Sequence, residues 1–323
     1  MPTIFDVAAA AGVSHQTVSR VLNGDEKVRQ HNRERVLEAV AALDYRPHAA
    51  ARALARRRSG VLGVLSSDAD LFGPASISRA FAAEAATAGY TVTSLAVGPA
   101  ADAVGAAVEA LLLQQVQALV LVSPSDSLAD AVRRLVPNAV PVLSTAGRGR
   151  GAGAASFDQH AGGALATGHL VAAGRRRIGH LAGPAEWWDA REREAGWRDA
   201  LAAADLEPGP VVVGDWTAAS GAAAAAAFAE AGCDAVFSAN DTMAIGLLHE
   251  LAALGRSVPD DVAVVGHDDI PESRFLIPAL SSVRQDHAAL GARLMAAVAA
   301  LLDAAPAAAA EPLVPQLVAR ASG

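Results

Sequence analysis

The side chains best suited to meeting a polar polymer stand near the N-terminus, where Ser14, His15, Gln16, Thr17, Ser19 and Arg20 fall within seven positions. An arginine can hold a guanine edge, and a glutamine an adenine edge, through paired hydrogen bonds. Short hydroxyls such as Ser14, Thr17 and Ser19 suit phosphate oxygens, contacts that position a protein without reading bases. Ser14 has a second use as a helix N-cap. Signals for catalysis are poor by comparison. No Gly-Lys pair exists for a phosphate loop, no Gly-x-Ser-x-Gly for a nucleophile elbow, and His249-Glu250 lacks the second histidine of a zinc helix. Residues 147–152 fit Gly-x-Gly-x-x-Ala after a strand, but no helical pattern follows, so the stretch reads as a loop.

The elements that must carry the N-terminal cluster can be read from spacing. Thr3 is a good N-cap with Asp6 three positions on, Ile4, Val7, Ala8 and Ala11 have helical spacing, and Gly12 stops the helix. Ser14 opens a second helix over 15–22 with Val18, Val21 and Leu22 on its apolar side. Two short helices across a glycine turn read as a helix-turn-helix, whose second helix places His15, Gln16 and Arg20 at base edges of a major groove. A third helix near 30–43, with Val36, Leu37, Val40 and Leu43, closes a small three-helix core. Tyr45-Arg46-Pro47 then takes an extended step.

From residue 61 the pattern changes. Apolar runs at 61–65, 91–96, 118–122, 140–143, 178–181, 211–213, 235–238 and 262–265 alternate with amphipathic stretches such as 77–88, 103–114, 162–173 and 242–254. That alternation predicts parallel sheets covered by helices, with ligands at the carboxyl ends of strands. The runs at 60–66 and 177–183 each open a new series, which suggests two similar lobes. The stretch 304–312 reads as a loop and 313–319 as a last short strand.

Charge separates the same two regions. Residues 1–60 carry ten Arg or Lys against six Asp or Glu, whereas 61–323 carry 16 against 28, so a basic head sits on an acidic body. The head is the part that should meet phosphate. Lone Cys233 rules out an internal disulfide and gives no support to a structural zinc site. The N-terminus lacks the basic start and apolar core of a signal peptide, and no apolar run reaches the roughly 18 residues of a membrane helix. The expectation is a cytoplasmic protein in a reducing setting.

Ile4-Phe5-Asp6-Val7-Ala8 followed by Gly12-Val13-Ser14-His15-Gln16-Thr17-Val18-Ser19-Arg20-Val21-Leu22-Asn23 resembles the head motif of the LacI (lactose repressor) family. Tyr45-Arg46-Pro47-His48 with Ala51-Arg52-Ala53-Leu54 is similar to that family's hinge. In the body Arg193-Glu194-Ala195-Gly196-Trp197, Gly214-Asp215-Trp216, Ala239-Asn240-Asp241-Thr242-Met243-Ala244, Val264-Val265-Gly266-His267-Asp268-Asp269 and Val283-Arg284-Gln285-Asp286 match in order. The resemblance spans nearly the whole chain. It implies a helix-turn-helix head (1–46), a hinge helix and linker (47–59), and a two-lobed body like the periplasmic binding proteins (60–323).

What the resemblance implies for function is a non-enzymatic transcription regulator, a homodimer on palindromic operator DNA, controlled by a sugar-like effector and needing no cofactor or metal. Asn23 and Ala51 join the DNA-facing set, and Leu54 wedges into the minor groove from a short helix that orders on DNA. Arg193, Asn240, Asp268 and Gln285 become partners of sugar hydroxyls, Trp216 a stacking face, and Ser67, Leu71, Gly73, Pro74 and Ile77 wall residues. Alternatives stay open at two of these, since Asn240 could cap a helix and Trp216 could be core. The chain departs from the family pattern at His48, His267 and His287 and in the glycine-arginine stretch 147–153. Trp187 and Trp188 are either pocket wall or packing beneath that loop.

Overall fold

In a computed structural model the chain forms two compact units, Met1–Ser59 and Gly60–Gly323. The structure describes residues 2–22, 25, 27–45, 59–66, 70–97, 101–122, 126–146, 155–305 and 311–323. Asn23, His48, Ala51, Leu54, Ser67, the hinge at 47–58 and the stretch 147–153 lie outside them.

In the first unit α1 (Ile4–Ala11) opens on a capping box: the Thr3 N–H donates to Asp6 at 2.7 Å and the Asp6 N–H to the Thr3 hydroxyl at 3.4 Å. It ends at Gly12, whose φ of 61° is the left-handed cap that favours glycine. In α2 (His15–Leu22) the Ser14 hydroxyl accepts from the Thr17 N–H at 3.2 Å, so Ser14 does cap this helix. α3 (Gln30–Ala42) completes the bundle. The core holds Val7, Ala8, Ala11, Val18, Val21, Val36, Ala39 and Tyr45, with Leu22, Val40 and Leu43 packed at its edge. Leu37 is not part of it; the side chain is 52 % exposed. One residue on from Val36 is about 100° around the helix, whereas Ala39, three residues on, stays near the buried face.

The second unit has two sheets. β1 (Val61–Ser66), β2 (Thr91–Ala96), β3 (Leu119–Val122) and β4 (Val142–Ser144) pair in parallel in the order β2-β1-β3-β4. β5 (Ile178–Ala182), β6 (Val211–Val213), β7 (Ala235–Ser238) and β8 (Ala263–Asp268) repeat that order as β6-β5-β7-β8. The second sheet continues with β9 (Ser281–Arg284), parallel to β8, and with β10 (Gln316–Val318), antiparallel to β9. β9 had no clear signal because its two serines, Ser281 and Ser282, are buried and hydrogen-bonded and so break the apolar run.

Helices cover both sheets: α4 (Phe72–Thr87), α5 (Ala101–Leu113), α6 (Asp126–Leu135), α7 (Gln159–Ala172), α8 (Trp188–Ala203), α9 (Ala218–Glu230), α10 (Asp241–Ala253) and α11 (His287–Leu302). Sequence order does not assign them all to a lobe. α7 precedes β5 yet its Ala166 and Leu170 pack with Ile178, Phe237 and Val265 of the second sheet. α11 follows β9 yet returns to the first, with Leu290, Leu294 and Val298 against Leu62, Val64 and Phe81. The chain therefore passes between the lobes three times, before α7, before α11 and before β10. Phe157 and Leu313 bridge two of these passages side by side.

Candidate functional site

On the first unit the exposed face of α2 carries Ser14, His15, Gln16 and Arg20, while Thr17 and Ser19 are half-buried. Arg20 has 69 % of its side chain in solvent, and its nearest ion partner, Asp25, is 4.0 Å away. An arginine so placed keeps its donor fork free for another molecule. His15 packs against the ring of Phe5 at 5.2 Å, a contact that joins α1 to the start of α2. Phe5 is itself 63 % exposed.

In the body an open cavity, about 550 Å³ with the solvent space at its mouth included, lies where carboxyl ends of strands from both sheets converge. Leu71, Phe72, Gly73, Pro74 and Ile77 approach from the start of α4, with Val122 and Thr145 from the ends of β3 and β4. Gln159, Trp187, Asp189, Arg193, Trp216, Asn240, Asp268 and Gln285 come from the second lobe. Apart from Ser67, every residue that the resemblance placed at an effector lines this one cavity.

Arg193 is 5 % exposed and its guanidinium is held on several sides. Nε donates to Gln159 Oε1 at 2.9 Å, Nη1 to the Ala239 carbonyl, and Nη2 lies 3.8 Å from Asp268 Oδ1. Gln159 Oε1 accepts a second bond from Gln285 Nε2 at 3.2 Å, so one amide ties together three cavity residues. The close approach of α7 and α8 makes this possible. A Cβ on Gly163 would lie 2.1 Å from the Arg193 carbonyl oxygen, and one on Gly196 would lie 2.0 Å from that of His160.

Asp268 sits at the end of β8 with φ 103°, a conformation that costs an L-residue of order 1 to 3 kcal/mol and persists where surroundings over-determine it. Burial raises the pKa of its carboxyl. The 3.1 Å hydrogen bond with His267 Nδ1 and the charge of Arg193 outweigh that and hold it below the ordinary value. Burial also keeps His267 neutral, its pKa lowered to about 4. Behind this pair Asp241 is fully buried and accepts from Ser273 Oγ, Ser282 Oγ and the Ile270 N–H. Burial first, then Asp268, push Asp241 up to about 7.

Asn240 does cap α10: its Oδ1 accepts from the Met243 N–H at 2.8 Å and its Nδ2 donates to the Trp216 carbonyl at 3.1 Å. One amide proton remains for another partner. Trp216 has φ 73° and is held in that turn by Asp215, which accepts from the Thr217 N–H and hydroxyl. Its ring meets Trp187 edge-on at 5.7 Å and lies 5.9 Å from the Arg193 guanidinium carbon, so Trp187 is cavity wall. Trp216 is 6 % exposed and its Nε1–H has no acceptor among the described residues.

Sequence reading missed Gln159, Asp189, Phe72, Val122 and Thr145. Val122 ends β3 and Thr145 follows β4, so both were within reach of the carboxyl-end rule. Asp189 stands four residues before Arg193, the spacing that puts two side chains on one helix face. Gln159 has no local signal. Motif residue Trp197 turns inward instead, fully buried and stacked on His180 at 5.4 Å. Among the described residues no group of acidic, histidine or cysteine side chains is placed to hold a metal, and no helix is long and apolar enough to cross a membrane.

Residues 3–48 match the family model for bacterial regulatory proteins of the lacI family, and 167–323 match a periplasmic binding protein-like domain. The lactose operon repressor of Escherichia coli (strain K12) is 36 % identical over 293 residues, which are 90 % of this chain and 81 % of that one. The regulator CelR of Thermobifida fusca is 34 % identical over 90 % of this chain and 88 % of its own. A crystal structure of the Lac repressor bound to ONPG in the repressed state superposes with a TM-score of 0.90 at 34 % identity, covering 100 % of this chain and 99 % of that one. A CelR–cellobiose complex gives 0.73 at 32 % identity, with both chains covered in full. With the head motif, the doubled sheet order and the cavity all in one polypeptide, the chain belongs to the lacI family of bacterial regulatory proteins, DNA-binding regulators of transcription.

Proposed function

We propose that this regulator is a repressor that binds palindromic operator DNA as a homodimer and that a sugar or sugar derivative in the body cavity controls that binding. The observation that carries this reading is the cavity itself, where buried Arg193, Asn240, Asp268 and Gln285 converge beside the Trp216 ring. Planar polar groups serve paired hydroxyls, and an aromatic face serves the apolar side of a pyranose. Kinship points the same way, since relatives include repressors of lactose and ribose operons and a CelR structure holds cellobiose. On the head His15, Gln16 and Arg20 would read base edges, Ser14, Thr17 and Ser19 would meet phosphates, and Asn23, Ala51 and Leu54 would extend the contact. One helix-turn-helix reads one half-site, so a palindrome calls for two chains. A gel shift with DNA from upstream of the protein's own gene, with and without mono- and disaccharides, tests the whole reading. Failure to shift that DNA, or a shift that no sugar alters, would count against it.

A further inference from the structure

Asp189 is the one charged residue of the cavity wall that makes no hydrogen bond or ion pair with a described residue. Three of the lining residues are charged, Asp189, Arg193 and Asp268. Arg193 and Asp268 offset one another at 3.8 Å, with His267 supporting the acid. Asp189, in the first turn of α8, accepts no hydrogen bond from any described residue, unlike Asp241 with its three donors. Half-buried at the cavity wall, that carboxylate finds its donors in solvent or in a ligand rather than in the protein around it. Facing it from its own helix are Glu192 and Arg193, and from the end of β8 Asp268.

The same wall also holds a donor left over, since Asn240 keeps one amide proton. An unfilled acceptor and an unfilled donor around one space fit a ligand whose groups both give and take hydrogen bonds, which is what a hydroxyl does. We propose that Asp189 is a ligand-binding, specificity-determining residue that accepts hydrogen bonds from hydroxyls of an uncharged polyol and shuts out anionic ligands such as sugar phosphates and sugar acids. This deepens, and rests on, the sugar-effector reading above. Burial of the carboxyl is the main force pushing its pKa up, to about 6, with Asp268 and Glu192 adding to the rise and Arg193 opposing it. Acceptance by the ionised form is therefore lost as pH falls through that value.

The test is calorimetry on the full chain at about pH 8 and about pH 5, on either side of that titration. Neutral probes are D-glucose, D-galactose, lactose and cellobiose; anionic probes are glucose 6-phosphate and D-galacturonate. The wild type should bind a neutral sugar at the higher pH, bind it at least about tenfold more weakly at the lower, and take neither anion, as expected for a charge-assisted hydrogen bond. Asp189→Asn should lose at least about tenfold at the higher pH, the loss of that charge assistance, and should show no pH dependence from this position. Asp189→Ser, with thermal melts for both variants, covers the case in which the amide does not fold. Unchanged affinity in a folded variant, a pH dependence that survives in both, or an anion bound as tightly as its neutral counterpart would overturn the role of Asp189 and leave the sugar reading standing. No binding of any sugar by the wild type would instead overturn the sugar reading and this inference with it.

Discussion

At the scale of single residues, Arg193 and Arg20 are opposite cases of one side chain. Arg193 is buried, its donors fixed on Gln159, Ala239 and Asp268, so that it shapes the cavity before any ligand arrives. Removing it leaves the Asp268 carboxylate buried without its cation. Arg193→Ala should therefore lower unfolding free energy by on the order of 3 kcal/mol in denaturant titration, besides abolishing ligand heat in calorimetry. An unaltered denaturation midpoint would show that Asp268 is satisfied by His267 alone. Arg20 is largely in solvent and its loss should leave folding unaffected. In operator binding, Arg20→Ala should cost about 1 to 3 kcal/mol and relax one base position per half-site, read by binding-site selection. The same preferred sequence from mutant and wild type would remove Arg20 from base reading.

At the scale of elements, two glycines decide where the cavity's floor lies. α7 and α8 touch backbone to backbone at Gly163 and Gly196, and that contact sets the reach from Gln159 to Arg193. A methyl at either position would meet a carbonyl that cannot turn aside inside a helix. Gly163→Ala should destabilise the body by roughly 1 to 3 kcal/mol, the usual range for overpacking, and weaken ligand binding although residue 163 does not line the cavity. Thermal melts and calorimetry of that variant check both effects; full stability would mean that the helices part at little cost. A second link between elements is the pair of Arg191 on α8 with Asp126 at the start of α6, 2.8 Å apart, which joins one lobe to the other across solvent. Both partners are well exposed, so its worth to folding is small.

At the scale of the whole molecule, buried titratable groups set how stability follows pH. His180 and His267 have pKa values lowered by burial to about 3 and about 4, against an ordinary value near 6.5. Below that ordinary value the unfolded chain takes up protons on them that the folded chain refuses, so their contribution is full above it and is lost as pH falls toward the folded values. Asp189 and Asp241 are raised to about 6 and about 7 and act in the opposite sense: their contribution is full below the ordinary carboxyl range and is lost as pH rises through those values. Between the two limits the histidines, with His287 lowered by burial in the same way, oppose the two raised carboxyls. Replacing one member should expose the others. The melting temperature of His180→Gln should gain on that of wild type as pH is lowered from about 7 to about 5, because the variant no longer carries a histidine that must stay neutral. A constant gap across that range would show that His180 titrates alike in the folded and unfolded chains.

The sequence by itself determined the parts whose cause is local. A threonine three residues before an aspartate makes the capping box of α1, Gly12 ends that helix, and runs of Val, Ile and Leu broken at regular intervals become strands of the two sheets. Motif order also pointed to Arg193, Asn240 and Asp268, which the fold brings from three separate segments into one cavity. Tertiary structure alone decided what depends on residues far apart in the chain. It turned Leu37 outward and put Ala39 and Tyr45 in its place, because which side of α3 is buried depends on where α1 and α2 pack. It sent α11 back to the first lobe through its contacts with α4, a choice that periodicity cannot make because both sheets offer an apolar face. It made Gln159 the acceptor for both Arg193 and Gln285, partners 34 and 126 residues away. It left Asp189 without a hydrogen bond from any described residue while Arg193, one turn on, was drawn to Asp268, since the energy of a charge is fixed by the groups around it in space and not by those beside it in sequence.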